Sequence, residues 1–120
     1  MNKKTLVLGA SENSNRYSFI AINRLLENNH SVVAISRKEG EVRGVKFNTS
    51  QTMFQDIDTI TLYLNKTNQG EFYNYIISLH PKRVIFNPGT ENPELENLLT
   101  QNNISFERAC TLVLLSIGQY

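Results

Sequence analysis

Short apolar runs alternate along this chain with stretches of helical spacing, and polar loops divide them. Thr5-Leu-Val-Leu8 is too brief for a helix and is closed by Gly9, the pattern of a buried strand. Gly9-Ala-Ser11 then makes a small-residue turn that lets a ligand approach the backbone. From Tyr17 to Asn28, Ala21, Ile22, Leu25 and Leu26 fall at helical spacing. Asn28-Asn29-His30 stops them, because asparagine tolerates the left-handed conformation that closes many helices. Ser31-Val-Val-Ala-Ile35 is a second buried strand, parallel to the first because a helix lies between them. Ser36-Arg-Lys-Glu-Gly40 leaves its end. Beyond Gly44, Val45 to Thr49 reads as a short extended piece and Ser50 to Gln55 as room for one helical turn.

Ile57 to Leu64 is the third strand, with Ile60, Leu62 and Leu64 alternating against Thr59, Thr61 and Tyr63. In the loop that follows, Asn68 and Glu71 have the spacing of a capping box. Phe72, Tyr75, Ile76 and Leu79 form one helix face, closed by His80-Pro81. Arg83-Val-Ile-Phe86 is strand four and Asn87-Pro-Gly-Thr90 a turn. Asn92-Pro93 sets an N-cap with proline at the first helical position. Leu95, Leu98 and Leu99 face inward from that helix, Ile104-Ser-Phe106 is a short fifth strand, and Thr111 to Ile117 reads as a packed last helix.

This alternation predicts an α/β fold: a single doubly wound domain over residues 1–120, about five parallel strands with helices on both faces. Ligands of such sheets bind past the C-terminal strand ends, where the strand order reverses. The expected site is therefore drawn from the loops 9–16, 36–40, 65–68 and 87–90. The first of these meets a helix N-terminus, whose unpartnered amides and dipole favour an anion.

Composition narrows the classes of partner. The chain has 120 residues, enough to bury roughly two thirds of its unfolded surface. A net charge of +1 gives no field for nucleic acid or an anionic membrane, so electrostatic recognition must be local. No apolar run approaches the ~20 residues of a membrane span. Met1-Asn-Lys-Lys4 leads into a strand, without the apolar core of a signal peptide. One cysteine, Cys110, excludes an internal disulfide and a cysteine-rich metal cage. A cytoplasmic, reduced setting is expected.

The candidate chemistry is that of binding. A dinucleotide fingerprint needs three spaced glycines and an acid after the second strand. Here Gly9 stands alone and Ser36-Arg37-Lys38 follows Ile35, which disfavours plain NAD. A cation pair there suits a ribose carrying its own phosphate, as in NADP or coenzyme A. His30 and His80 sit at helix ends, outside any metal-ligand spacing. Glu94, Glu96, Asp56 and Asp58 read as surface charges, and Cys110 as a packed small hydrophobe, with a thiol beside a thiol-bearing ligand as the other reading.

Taken together, Gly9-Ala-Ser11, Arg16-Tyr-Ser18 with Ala21, Asn29-His30-Ser-Val, Gly44-Val with Asn48-Thr49, and Arg108-Ala-Cys110 resemble the small bacterial CoA-binding domain proteins. These are stand-alone relatives of the CoA-binding domain in the succinyl-CoA synthetase α chain. The resemblance covers nearly the whole chain. It implies a Rossmann-like domain that holds the nucleotide end of coenzyme A or a CoA thioester without a reaction of its own, more a binding module than an enzyme. On that reading the backbone of Gly9, Ala10 and Ser11 and the helix start at Tyr17 and Ser18 cradle the pyrophosphate, reinforced by the planar guanidinium of Arg16. Arg37 or Lys38 takes the 3′-phosphate or flanks the adenine, with Ser36 beside them among the cofactor-binding residues. Asn65, Lys66 and Thr67 line the adenosine pocket, and Asn87, Pro88 and Gly89 close the pantetheine side.

Two departures from the family fall where the adenosine is expected. The second strand usually ends in Asn-Pro and here ends Ser36-Arg37; the third-strand loop is usually close to Pro-Ser-Glu and here reads Lys66-Thr67-Asn68. The alternatives are an NADP- or acyl-CoA-using enzyme subunit, or a degenerate nucleotide-binding fold serving as an interaction surface. The corresponding bland readings are Arg16 as a local cap or pair, Arg37-Lys38 as a solvated turn, and Tyr17 as core packing at the helix entry.

Overall fold

In a computed structural model, which describes residues 2–120, the chain forms one sheet in the order β3-β4-β2-β1-β5-β6-β7. The strands are β1 (Thr5–Leu8), β2 (Val32–Ile35), β3 (Glu41–Val42), β4 (Val45–Asn48), β5 (Thr59–Leu62), β6 (Arg83–Phe86) and β7 (Ser105–Arg108). The helices are α1 (Tyr17–Glu27), α2 (Lys66–Gln69), α3 (Tyr73–Leu79), α4 (Pro93–Gln101) and α5 (Thr111–Ser116), with a 3-10 turn, Gly70–Phe72, joining α2 to α3. All neighbours pair in parallel except β3 and β4, which form an antiparallel hairpin at one edge.

Both faces of the central strands are covered, so alternation sorts side chains between two apolar layers. Leu6, Leu8, Ile60, Leu62, Val84 and Phe86 pack with Tyr75, Ile76 and Leu79 of α3 and with Leu95 and Leu99 of α4. Val7, Ala34 and Ile85 face the other way, onto Ile22 and Leu25 of α1 and Leu115 of α5. Thr5, Thr59 and Thr61 are wholly buried, so the β5 threonines are not a solvent face. The hydroxyls of Thr61 and Thr111 share a hydrogen bond of 2.8 Å, which satisfies both in the interior.

The sheet has seven strands rather than the five expected. The extended piece after Gly44 is a full sheet member beside β2, and its hairpin partner was hidden in two residues, Glu41–Val42. Arg43 and Gly44 turn that hairpin with φ of 48° and 85°, the doubly positive arrangement that matches strand twist. No helical turn forms over residues 50–55. The expected Asn68–Glu71 capping box is replaced by an earlier cap: Asn65 Oδ1 accepts the Asn68 amide at 3.0 Å, so α2 starts at Lys66. Asn92 caps α4 as expected, with Pro93 at its start.

Glu96 is not the surface charge its position on α4 promised. It is buried, and Arg108 grips it with Nε at 2.7 Å from one oxygen and Nη2 at 2.9 Å from the other. This forked contact ties α4 to β7. His30 and His80 lie at helix ends: His80 closes α3 in the left-handed conformation, and His30 Nδ1 accepts the Lys3 amide at 2.9 Å.

Candidate functional site

β1 lies between β2 and β5, so the chain leaves β1 toward one edge of the sheet and later builds from β5 toward the other. Loops that follow the two strands part at that point and leave a crevice. A groove of about 490 Å³ opens there. It is lined by Gly9, Ala10, Ser11, Arg16, Tyr17, Ser18, Ser36, Arg37, Lys38, Asn65, Pro88 and Gly89, together with Tyr63, Leu64 and Thr90. Lys66 and Thr67 sit on α2 outside this lining.

At Gly9 the loop after β1 packs closely against the residues after β5. Its φ is +102°, and a Cβ placed there would lie 3.0 Å from both the Tyr63 carbonyl carbon and Leu64 Cδ2. The amides of Gly9 and Ala10, expected to cradle a pyrophosphate, both donate to the Ile35 carbonyl at 3.0 Å. Their role is to hold the loop to β2. The amides of Ser11, Tyr17 and Ser18 take no acceptor among the described residues. Short polar residues fix the rest of the loop: Ser11 Oγ accepts the Asn13 amide at 3.0 Å, and Asn13 Oδ1 accepts that of Asn15 at 2.9 Å.

Helix α1 begins without the usual side-chain cap. Arg16 occupies the cap position, has no acceptor to offer, and the first turn contains no acid. Arg16 is exposed and has no ion-pair partner among the described residues, which sets aside the reading of it as a local cap. Tyr17 is 70% exposed, so it is not core packing. Ser18 is buried beneath it.

A second cavity of about 380 Å³ adjoins the groove and shares Gly9, Ser36, Arg37 and Leu64 with it. Its floor is apolar, from Leu8, Ile35, Leu64 and Phe72, and its rim carries Thr49, Ser50, Gln51 and Glu71. The sequence reading missed this rim. Recognising residues 45–48 as a parallel strand beside β2 would have brought Thr49 to the same edge.

A third, smaller cavity of about 180 Å³ continues the groove past Tyr17, Tyr63 and Pro88 to Asn87, Cys110 and Leu112. Asn87 is spent on structure: Nδ2 donates to Thr61 Oγ1 at 2.7 Å and to the Leu62 carbonyl at 2.9 Å, and Oδ1 accepts the Thr111 amide at 2.8 Å. Cys110 is half-buried and free. The Tyr63 hydroxyl is enclosed without a hydrogen-bond partner among the described residues, and burial pushes its pKa up to about 12. It stays a neutral phenol at physiological pH.

The groove therefore combines unpartnered amides at a helix start, the cations Arg16, Arg37 and Lys38, and flanking apolar cavities. That assembly suits an anion carrying apolar groups on either side. Among the described residues no group of His, Cys, Asp and Glu is placed to hold a metal ion, and no helix is long and apolar enough to cross a membrane.

Comparison with known proteins adds the following. A family profile described as a CoA binding domain matches residues 3–116. The crystal structure of an uncharacterised protein is 49% identical and superposes with a TM-score of 0.98, covering 100% of this chain and 99% of the other. A conserved hypothetical protein from Pyrococcus furiosus is 26% identical at a TM-score of 0.78, over 94% of this chain and 98% of that one. A Thermus thermophilus structure, 20% identical at a TM-score of 0.87 over 99% and 91% of the two chains, shares the fold. No curated protein matches.

Proposed function

Because the chain belongs to the CoA binding domain family, we propose that it binds coenzyme A or a CoA thioester through the nucleotide diphosphate end, as a module without a reaction of its own. The observation that carries this reading is the uncapped start of α1, opening with Arg16 onto a groove at the strand-order reversal. The diphosphate would lie against the amides of Ser11, Tyr17 and Ser18, with the Arg16 guanidinium beside it. The adenine would rest on the apolar floor of Leu8, Ile35, Leu64 and Phe72. The pantetheine arm would pass Tyr17 and Pro88 toward the cavity that Cys110 borders. A bacterial, cytoplasmic setting belongs to the same proposal and is in keeping with the one free cysteine.

Thermal unfolding with added nucleotide tests it. Ligand at a hundred times its dissociation constant adds about 2.7 kcal/mol, and at about 4 °C per kcal/mol for a chain of this size the midpoint rises about 11 °C. Coenzyme A and acetyl-CoA should both produce that rise. No shift at millimolar coenzyme A, or an equal shift with NADP, overturns the assignment.

A further inference from the structure

Arg37 stands on the loop after β2 and faces both the groove and the apolar-floored cavity beside it. Its guanidinium reaches across to the opposite wall, where Nη2 donates to Asn68 Oδ1 at 3.1 Å and lies 3.7 Å from Glu71 Oε1. Gln51, beyond β4, donates to the Glu71 backbone carbonyl at 2.9 Å, so that wall is tied to the loop after β4 as well. Of the charged side chains lining the two cavities, Arg16, Arg37 and Lys38 are cations, and Glu71 is the one acid among the described residues. It is paired with the cation that both cavities share.

Resting on the coenzyme A reading, in which Arg37 takes the 3′-phosphate of the ribose, we infer that Glu71, helped by Asn68, is an internal competitor for that guanidinium, an anion the ligand must displace. The Arg37 and Glu71 side chains are 68% and 60% exposed, and a single contact of 3.7 Å in water is weak. A phosphate monoester accepts two N–H groups of a guanidinium at once and carries more charge than a carboxylate, so the exchange runs toward the ligand. Glu71 also repels that phosphate until its carboxylate turns away. The acid therefore lowers the preference for 3′-phosphorylated nucleotides that Arg37 creates. Arg37 and Glu71 together set how sharply coenzyme A is told from its 3′-dephospho form.

Calorimetric titration of coenzyme A and 3′-dephospho-CoA into the wild type, Glu71→Gln and Arg37→Gln tests this. The wild type should prefer coenzyme A. Glu71→Gln should raise the ratio of the two affinities about two- to fivefold, the reach of an exposed ion pair, and Arg37→Gln should erase it. Both residues are exposed, so the melting temperatures of the variants without ligand should match the wild type. If both nucleotides bind and Glu71→Gln leaves the ratio unchanged or lowers it, the competitor role falls and the binding assignment survives. If neither nucleotide binds the wild type, the coenzyme A reading falls and takes this inference with it.

Discussion

Replacing Gly9 by alanine probes the point on which the groove's geometry turns. The new Cβ would meet the Tyr63 carbonyl carbon and Leu64 Cδ2 at 3.0 Å, and the backbone there has a φ of +102°, which an L side chain rarely adopts. Backbone strain of this kind costs about 1–3 kcal/mol, partly offset by about 0.4–1 kcal/mol because alanine restricts the unfolded chain. Gly89→Ala is the matched control: its φ is +91°, but no atom lies within 4 Å of the added carbon. The two variants share the strain, and only Gly9→Ala must also push β1 from the β5 loop. At about 4 °C per kcal/mol, Gly89→Ala should lower the melting midpoint by up to about 10 °C and Gly9→Ala by several degrees more than Gly89→Ala. Circular dichroism melts of both variants measure this. Calorimetry with coenzyme A should show weaker binding for Gly9→Ala, because Ser11 moves with the loop. A Gly9→Ala protein no less stable than Gly89→Ala would refute the claim that close backbone approach requires glycine there.

Arg16→Glu places a carboxylate at the proposed diphosphate seat; coenzyme A affinity should drop at least tenfold, with the melting temperature nearly unchanged because Arg16 is exposed and without an ion-pair partner among the described residues. Equal affinity by calorimetry removes Arg16 from the site. Arg108→Ala leaves the buried Glu96 carboxylate without its forked partner and should lower the melting temperature; adding Glu96→Leu should recover most of the loss, and a failure to recover it would show that the buried charge is not its cause. The His30 pKa is held below its ordinary value, burial being the largest cause and the Lys3 charge a further one, so the folded state prefers the neutral ring. The unfolded chain then takes up the proton first: the contribution is full above about pH 6.5 and is lost as pH falls through the folded pKa. Denaturant melts should show the wild type losing more stability than His30→Gln between pH 7.5 and 5, and identical losses would count against the assignment.

The layers of the fold were legible in the sequence because burial on both faces writes itself as unbroken apolar runs. Thr5–Leu8, Val32–Ile35 and Arg83–Phe86 are such runs, and the intervening periodicity of Ile22 and Leu25, or of Leu95 and Leu99, leaves only a helix. The edge was not legible for the complementary reason. A strand of two residues, Glu41–Val42, has no periodicity to read, and its turn uses Arg43 in a positive-φ conformation more common for asparagine or glycine. The spacing of Asn68 and Glu71 pointed to a cap three residues later than the one that Asn65 forms. With α2 starting at Lys66, Gln69 is buried and its Nε2 donates to the Leu64 and Thr90 carbonyls at 2.8 Å, partners that local spacing could not reveal.

Within the site, chain order located the loops but could not divide their polar groups between ligand and scaffold. That division depends on partners distant in sequence. Gly9 and Ala10 lose their amides to Ile35, and Asn87 loses its side chain to Thr61, Leu62 and Thr111. Each loss braces a neighbouring strand end. With those groups spent, the amides of Ser11, Tyr17 and Ser18 still lack an acceptor among the described residues, beside Arg16 at a helix start without a side-chain cap. An uncapped helix start costs stability when nothing occupies it. In the proposed coenzyme A complex the ligand's diphosphate would supply the acceptor that this helix start lacks.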